Sequence, residues 1–185
     1  MRELGLPRSL WRETAPPPLN CKPLQDDIAA DLVIIGGGYT GLSAAVRAIE
    51  LGLKPVVLEA EEVGFGASGR NGGVVSTKYR VSLSVMAQTH GRQVAQRMNA
   101  LGHKAMDCVE SYVERFQIRE ANLAKTGNIR CAHNEAAFAA LVEEAKTIRD
   151  IFGDTSITVL DANEVAAETG STRFYGGVLN SHAGT

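Results

Sequence analysis

The sequence predicts a mixed α/β fold that opens on a parallel β-α-β unit of Rossmann type. Three observations predict it. Leu32-Val33-Ile34-Ile35 is a short continuous apolar run ending in glycines, the pattern of a strand buried on both faces. Residues 39–52 carry helix formers, among them Leu42, Ala44, Ala45, Val46, Ala48 and Ile49, and stop at Gly52. Pro55-Val56-Val57-Leu58 is a second apolar strand, closed by Glu59. Two such strands joined by one helix over about 30 residues run parallel through a right-handed crossover.

The remaining elements follow in order. Residues 1–30 read as an irregular arm, because Pro16, Pro17 and Pro18 forbid regular helix and favour an extended polyproline segment. Trp11 is read as surface packing, with pinning of the arm to the body as the alternative. Residues 61–80 are dense in glycine and form a loop. One long amphipathic helix is predicted over roughly 82–117, with Val94, Met98, Leu101, Ala105, Val109, Tyr112 and Phe116 as its buried stripe. Leu123 to Ala132 reads as a strand. Asn134 caps a further helix with the stripe Phe138, Leu141, Ala145, Ile148 and Phe152, ended by Gly153. Ile157 to Leu160 is another strand, Asp161 with Glu164 forms a capping box opening a short helix, and Phe174 to Leu179 is a last strand. This gives an arm over 1–30, a β-α-β segment with the long helix over 31–120, and the start of a second, α+β domain over 121–185.

Composition narrows the function classes. The chain has 185 residues, 44% hydrophobic and 22% charged, with a formal net charge of -2. That is an ordinary globular composition, with neither a nucleic-acid face nor a polybasic membrane patch. No apolar run reaches the ~20 residues of a membrane span, and the first residues lack the apolar core of a secretory signal. Cys21, Cys108 and Cys131 are widely spaced and odd in number, so neither a metal site nor a disulfide framework is expected and a reducing cytoplasm fits. Cys108 and Cys131 are read as small core residues. His90, His103, His133 and His182 are isolated in sequence and are read as surface or packing residues without metal-ligand spacing.

The chemistry sits in Gly36-Gly37-Gly38-Tyr39-Thr40-Gly41, which fits G-x-G-x-x-G. Gly36 allows a sharp turn out of the strand, Gly38 allows the backbone to approach a pyrophosphate, and Gly41 allows close helix–strand packing. The helix then aims its free N–H groups and positive dipole end at the phosphates. Tyr39 and Thr40 contribute through their backbone. Glu59 ends the second strand at about the ~20-residue spacing of an acid that binds ribose hydroxyls, and a carboxylate there disfavours NADP. Ala60 follows it. The loop Gly64-Phe65-Gly66-Ala67-Ser68-Gly69-Arg70-Asn71-Gly72-Gly73 can lie flat against an extended ligand. Within it Ala67 and Ser68 border a pyrophosphate, Arg70 offsets phosphate charge, Asn71 is a further donor, and Gly72 and Gly73 let the main chain pass beside a ring. The motif alone does not separate NAD from FAD.

The run from Asp31 to Glu59, followed by Gly-Phe-Gly-Ala-Ser-Gly-Arg-Asn-Gly-Gly, resembles the FAD-dependent oxidoreductases of the D-amino-acid-oxidase type. The gamma-glutamylputrescine oxidoreductases are the most similar subgroup. The arm with Ser9-Leu10-Trp11 and Thr14-Ala15 resembles the arm of that subgroup, and Tyr175-Gly176-Gly177-Val178 resembles an early segment of the family's substrate domain. The resemblance implies FAD as cofactor and an amine as substrate, with gamma-glutamylated polyamines among the candidates. It implies hydride transfer from the carbon beside the amine nitrogen to flavin N5, then hydrolysis of the imine and reoxidation by oxygen or another acceptor. Some relatives link the flavin through a His in this loop; Arg70 stands in that place, so noncovalent FAD is expected. No catalytic residue is assigned. Family members are roughly twice this length, so the chain is expected to be partial, a cofactor cradle rather than a full enzyme. A nicotinamide-dependent dehydrogenase and a non-catalytic nucleotide-binding remnant stay open as alternatives.

Overall fold

The computed structural model describes residues 9–185, so the first eight residues of the arm lie outside the described residues. The chain forms two compact units, one ending at Gly72 and one beginning at Gly73.

The first unit is built on two parallel strands, β1 (Leu32–Ile35) and β2 (Pro55–Leu58), paired from Leu32 with Pro55 to Ile35 with Leu58. Helix α2 (Tyr39–Glu50) connects them and packs across both, burying Ala45 and Ala48. It is preceded in the chain by α1 (Leu10–Thr14), a short helix inside the arm. The arm is therefore not irregular throughout. Ser9 caps α1 by accepting from the Arg12 N–H at 3.2 Å, and the prolines act only after the helix has ended. The strand β1 also departs from its expected burial: Val33 is 57% and Ile35 89% exposed. The apolar run is that of a central strand, but among the described residues the sheet holding it has two strands. Two strands with one covering helix leave much of their apolar side-chain area uncovered.

The second unit carries an antiparallel sheet of three strands, β3 (Asn128–Ala132), β4 (Ile157–Leu160) and β5 (Gly176–Asn180), with β5 in the middle. Ala132 pairs with Gly176 on one side and Leu160 with Gly177 on the other. Helix α5 (Glu135–Phe152) presses Leu141 and Ala145 against Ala132 and Val178, with Ala137, Phe138 and Ile157 at the margin. Asn134 caps it as expected, accepting from the Ala137 N–H at 2.8 Å. Helix α6 (Ala162–Thr169) buries Val165 completely and opens on the expected capping box of Asp161 and Glu164.

The long helix expected over 82–117 is two helices, α3 (Leu83–His90) and α4 (Arg92–Arg115). Gly91 separates them with φ +87° and ψ 153°, a backbone conformation that only glycine adopts cheaply. By its contacts α4 groups with α5 within the second compact unit. The buried line of α4 is Ala95, Asn99, Gly102 and Met106. Of the expected stripe, Val94, Met98 and Tyr112 are half-buried, while Leu101, Ala105, Val109 and Phe116 are exposed. Small residues win the inner face because they permit close approach: a Cβ on Gly102 would lie 3.2 Å from the Thr77 carbonyl oxygen. The same choice of inner face leaves Cys108 exposed rather than in the core; Cys131, on β3, is half-buried.

Candidate functional site

The candidate site lies in the first unit, where β1 hands over to α2. The Gly36 N–H donates to the Leu58 carbonyl at 2.7 Å, extending the parallel ladder one step past β1. Gly36 then turns with φ +103°, a left-handed value that releases the chain from the sheet. Gly38 is the N-cap of α2 and brings no side chain to that position. A Cβ on Gly41 would collide with the Gly36 carbonyl oxygen and stand 3.2 Å from Ile34 Cγ2. That position is where the helix crosses the strand. Tyr39, Thr40 and Gly41 form the first turn of α2, whose N–H groups have no acceptor inside the helix.

Two side chains converge on this turn. Glu59, just beyond β2, accepts from the Gly37 N–H at 2.7 Å through Oε2 and from the Glu61 N–H at 3.2 Å through Oε1. The Gly37 bond foremost, then that of Glu61, holds its carboxyl below the ordinary carboxylate range, with Ala60 N–H adding to the effect against a small opposing effect of burial. Ser68 sits in a 3-10 turn, Ala67–Gly69. Its hydroxyl oxygen accepts from the Tyr39 N–H at 3.0 Å, capping α2 from outside the helix. The Gly64 N–H donates to the Gly37 carbonyl at 3.0 Å, a second tie between loop and glycine turn.

The structure thus gathers Gly36 to Gly41, Glu59, Ala60, Ala67 and Ser68 around one turn. Asn71 is tied to that group through its Nδ2, which donates to the Ser68 carbonyl at 2.7 Å. The Arg70 guanidinium stacks over the Phe65 ring, 4.7 Å from its centroid. Gly72 closes the first unit and Gly73 opens the second.

Two side-chain groupings escape sequence reasoning. One joins α1 to the loop: Trp11 Nε1–H donates to the Asn71 carbonyl at 2.6 Å, and Arg12 forms a two-point ion pair with Glu62 at 2.8 and 3.1 Å. Trp11 therefore follows the alternative reading, pinning the arm, rather than the surface-packing one. The other is in the second unit, where His103 and His182 are not isolated. Their Nδ1 atoms are 2.8 Å apart, and His103 Nε2 lies 2.6 Å from Asp154 Oδ2. A carboxylate only accepts, so His103 Nε2 carries a proton and just one of the facing Nδ1 atoms does. No short-range spacing signals either grouping, since the partners lie 50 or more residues apart.

Residues 31–185 match the model of the family described as FAD dependent oxidoreductase, DAO. The chain belongs to this family. A relative in Escherichia coli K12 named gamma-glutamylputrescine oxidoreductase is 34% identical over 161 residues, covering 87% of this chain and 37% of the relative. A probable oxidoreductase, OrdL, of Haemophilus influenzae is 31% identical, covering 88% of this chain and 37% of its own length. Among solved structures, glycine oxidase from Geobacillus kaustophilus superposes with a TM-score of 0.68 at 19% identity, over 84% of this chain and 40% of that one. L-amino acid deaminase from Proteus myxofaciens superposes with a TM-score of 0.69 at 20% identity, over 91% and 36%. These likenesses establish the DAO-type α/β fold. The chain of this DAO member spans well under half the length of the relatives it matches.

Proposed function

We propose that this DAO-family chain carries the ADP-binding cradle of an FAD-dependent oxidoreductase that oxidises the C–N bond of an amine. The observation that carries the reading is the Glu59 carboxylate standing at the Gly37 N–H, at the mouth of a glycine turn that opens α2. In this reading Glu59 grips ribose hydroxyls and the first-turn N–H groups of Thr40 and Gly41 receive a diphosphate, while Ser68 holds that of Tyr39. The cradle fits such a group: a Cβ at Gly37 would come within 3.3 Å of Glu59 Oε2 and one at Gly38 within 2.8 Å of Ser68 Oγ, so bare backbone is required where a ligand would approach. Ser68, Asn71, Gly72 and Gly73 supply the loop beside it, with Ala60 and Ala67 as its small walls and Arg70 as its nearby positive charge.

Bound FAD supplies the hydride acceptor, and the chain's own task is binding and orientation. The loop over residues 61–73 has neither His nor Cys, which supports noncovalent FAD. The substrate reading rests on the names of the relatives: gamma-glutamylputrescine or a related amine or amino acid, with oxygen or another acceptor regenerating the flavin. Within the whole protein we assign residues 31–120 to the flavin-binding domain and 121–185 to the start of the substrate domain. The free cysteines suit a cytoplasmic location. Titration of the purified chain with FAD, followed by flavin fluorescence and competed with ADP, tests the reading. Saturable binding that ADP displaces is expected, with all flavin released on mild acid precipitation. Preference for NADH over FAD would overturn the cofactor, and colour retained in the acid pellet would overturn the noncovalent link.

A further inference from the structure

The glycine-dense loop after β2 has little of its own to fix its shape. Glycines lose more conformational freedom on ordering than any other residue, and the only regular element is one 3-10 turn. Yet Ser68 is delivered to the first N–H of α2. External ties must supply the order, and α1 supplies three. Ser9 Oγ donates to the Gly69 carbonyl at 3.3 Å, Trp11 Nε1–H to the Asn71 carbonyl at 2.6 Å, and Arg12 pairs with both oxygens of Glu62. The first two bracket Arg70 in the chain, and Asn71 relays the second to Ser68 through its own side-chain bond. The helix is shaped for this. Its N-cap Ser9 and the following Trp11 and Arg12 lie within one turn and all address the loop, and Pro16 to Pro18 prevent the helix from growing past it.

We infer that α1 is a clasp that holds the 61–73 loop so that Ser68 stays at the N-terminus of α2, which makes Trp11 and Arg12 positioning residues for cofactor binding. The inference rests on the flavin reading above for its consequence, though not for the clasp itself. A polar clasp suits this purpose better than an apolar one. Trp11 is 39% exposed, so its ring is only partly covered and its N–H adds a directed bond to a backbone carbonyl. The two-point Arg12–Glu62 pair fixes an orientation as well as a distance.

A charge-swap cycle on the full chain tests it. Arg12→Glu, Glu62→Arg and the double swap are compared with wild type, with Trp11→Phe removing the N–H donor while an aromatic ring is kept. The first readout is backbone amide exchange over residues 64–73 without cofactor; the second is the FAD dissociation constant. Each single swap is expected to speed loop exchange and weaken FAD roughly threefold to tenfold, as for an exposed pair turned repulsive. The double swap should recover both, and Trp11→Phe should reproduce the loss although an aromatic ring remains. Unchanged loop exchange in the single swaps overturns the clasp, whatever the cofactor. Faster exchange with unaltered FAD affinity overturns the positioning role. Wild type separates the two hypotheses: no affinity for FAD there overturns the proposed function, whereas wild-type binding with indifferent swaps overturns the clasp alone.

Discussion

Glu59 Oε2 and the Gly37 N–H are 2.7 Å apart, so the acid that ends β2 is bonded to the glycine turn that ends β1. The bond crosses between the two parallel strands just past their paired residues, and it fixes a negative charge beside the backbone on which a diphosphate would rest. Removing the carboxylate therefore removes the proposed ribose acceptor and an anchor of the turn together. Glu59→Ala is expected to weaken FAD binding about 10- to 100-fold, the range for one or two hydrogen bonds to a charged group. Glu59→Gln keeps an acceptor oxygen for Gly37 and should fall between wild type and Ala. Fluorescence titration of the three proteins checks the order; equal affinity in all three would remove Glu59 from the site.

The closest packing in the first unit is at Gly41, where any side chain meets the Gly36 carbonyl and Ile34. Gly41→Ala is expected to force α2 away from β1 and to destabilise that unit by about 1–3 kcal/mol, the usual cost of overpacking a tight contact. The effect should be local. Amide exchange in α2 and β1 should accelerate, while β3 and β5 stay protected. Uniform acceleration across both units would show that they unfold together, and no acceleration would show that the crossing has room to adjust.

Where local chemistry decides the outcome, the sequence is legible. The turn from Gly36 to Gly41, the cap at Asn134 and the capping box of Asp161 with Glu164 are all where their residue types place them, because each depends on neighbours a few positions away. Burial is another matter. Leu101, Val109 and Phe116 form a convincing apolar stripe and are exposed, because the inner face of α4 is set by how closely Gly102 and Ala95 let it approach its neighbours. Likewise Ile35 has the sequence of a central strand and the exposure of an edge. Long-range polar pairs were least visible. Arg12 meets Glu62, and His103 meets His182, only because the fold closes the distance.

Asp154 is the charged centre of that second grouping. Its side chain is almost wholly buried, and burial by itself raises its pKa. The opposing bonds from the Ser156 hydroxyl and N–H and from His103 outweigh it, so the net direction is below the ordinary 3.8. Asn99 Nδ2 adds a donor at 3.3 Å. A depressed carboxyl pKa contributes stability that is fully present above the unfolded value and is lost as pH falls through the folded value. Wild type should therefore lose stability between about pH 5 and about pH 2 more steeply than Asp154→Asn, which has no proton to take up at that position. At neutral pH, Asp154→Ala should cost about 2–3 kcal/mol, since it leaves the Ser156, Asn99 and His103 donors without an acceptor. Urea unfolding followed at several pH values, with a probe in β5 or α5, checks both. Parallel pH curves for wild type and Asp154→Asn would mean that the carboxylate is no better held in the folded unit than in the unfolded chain.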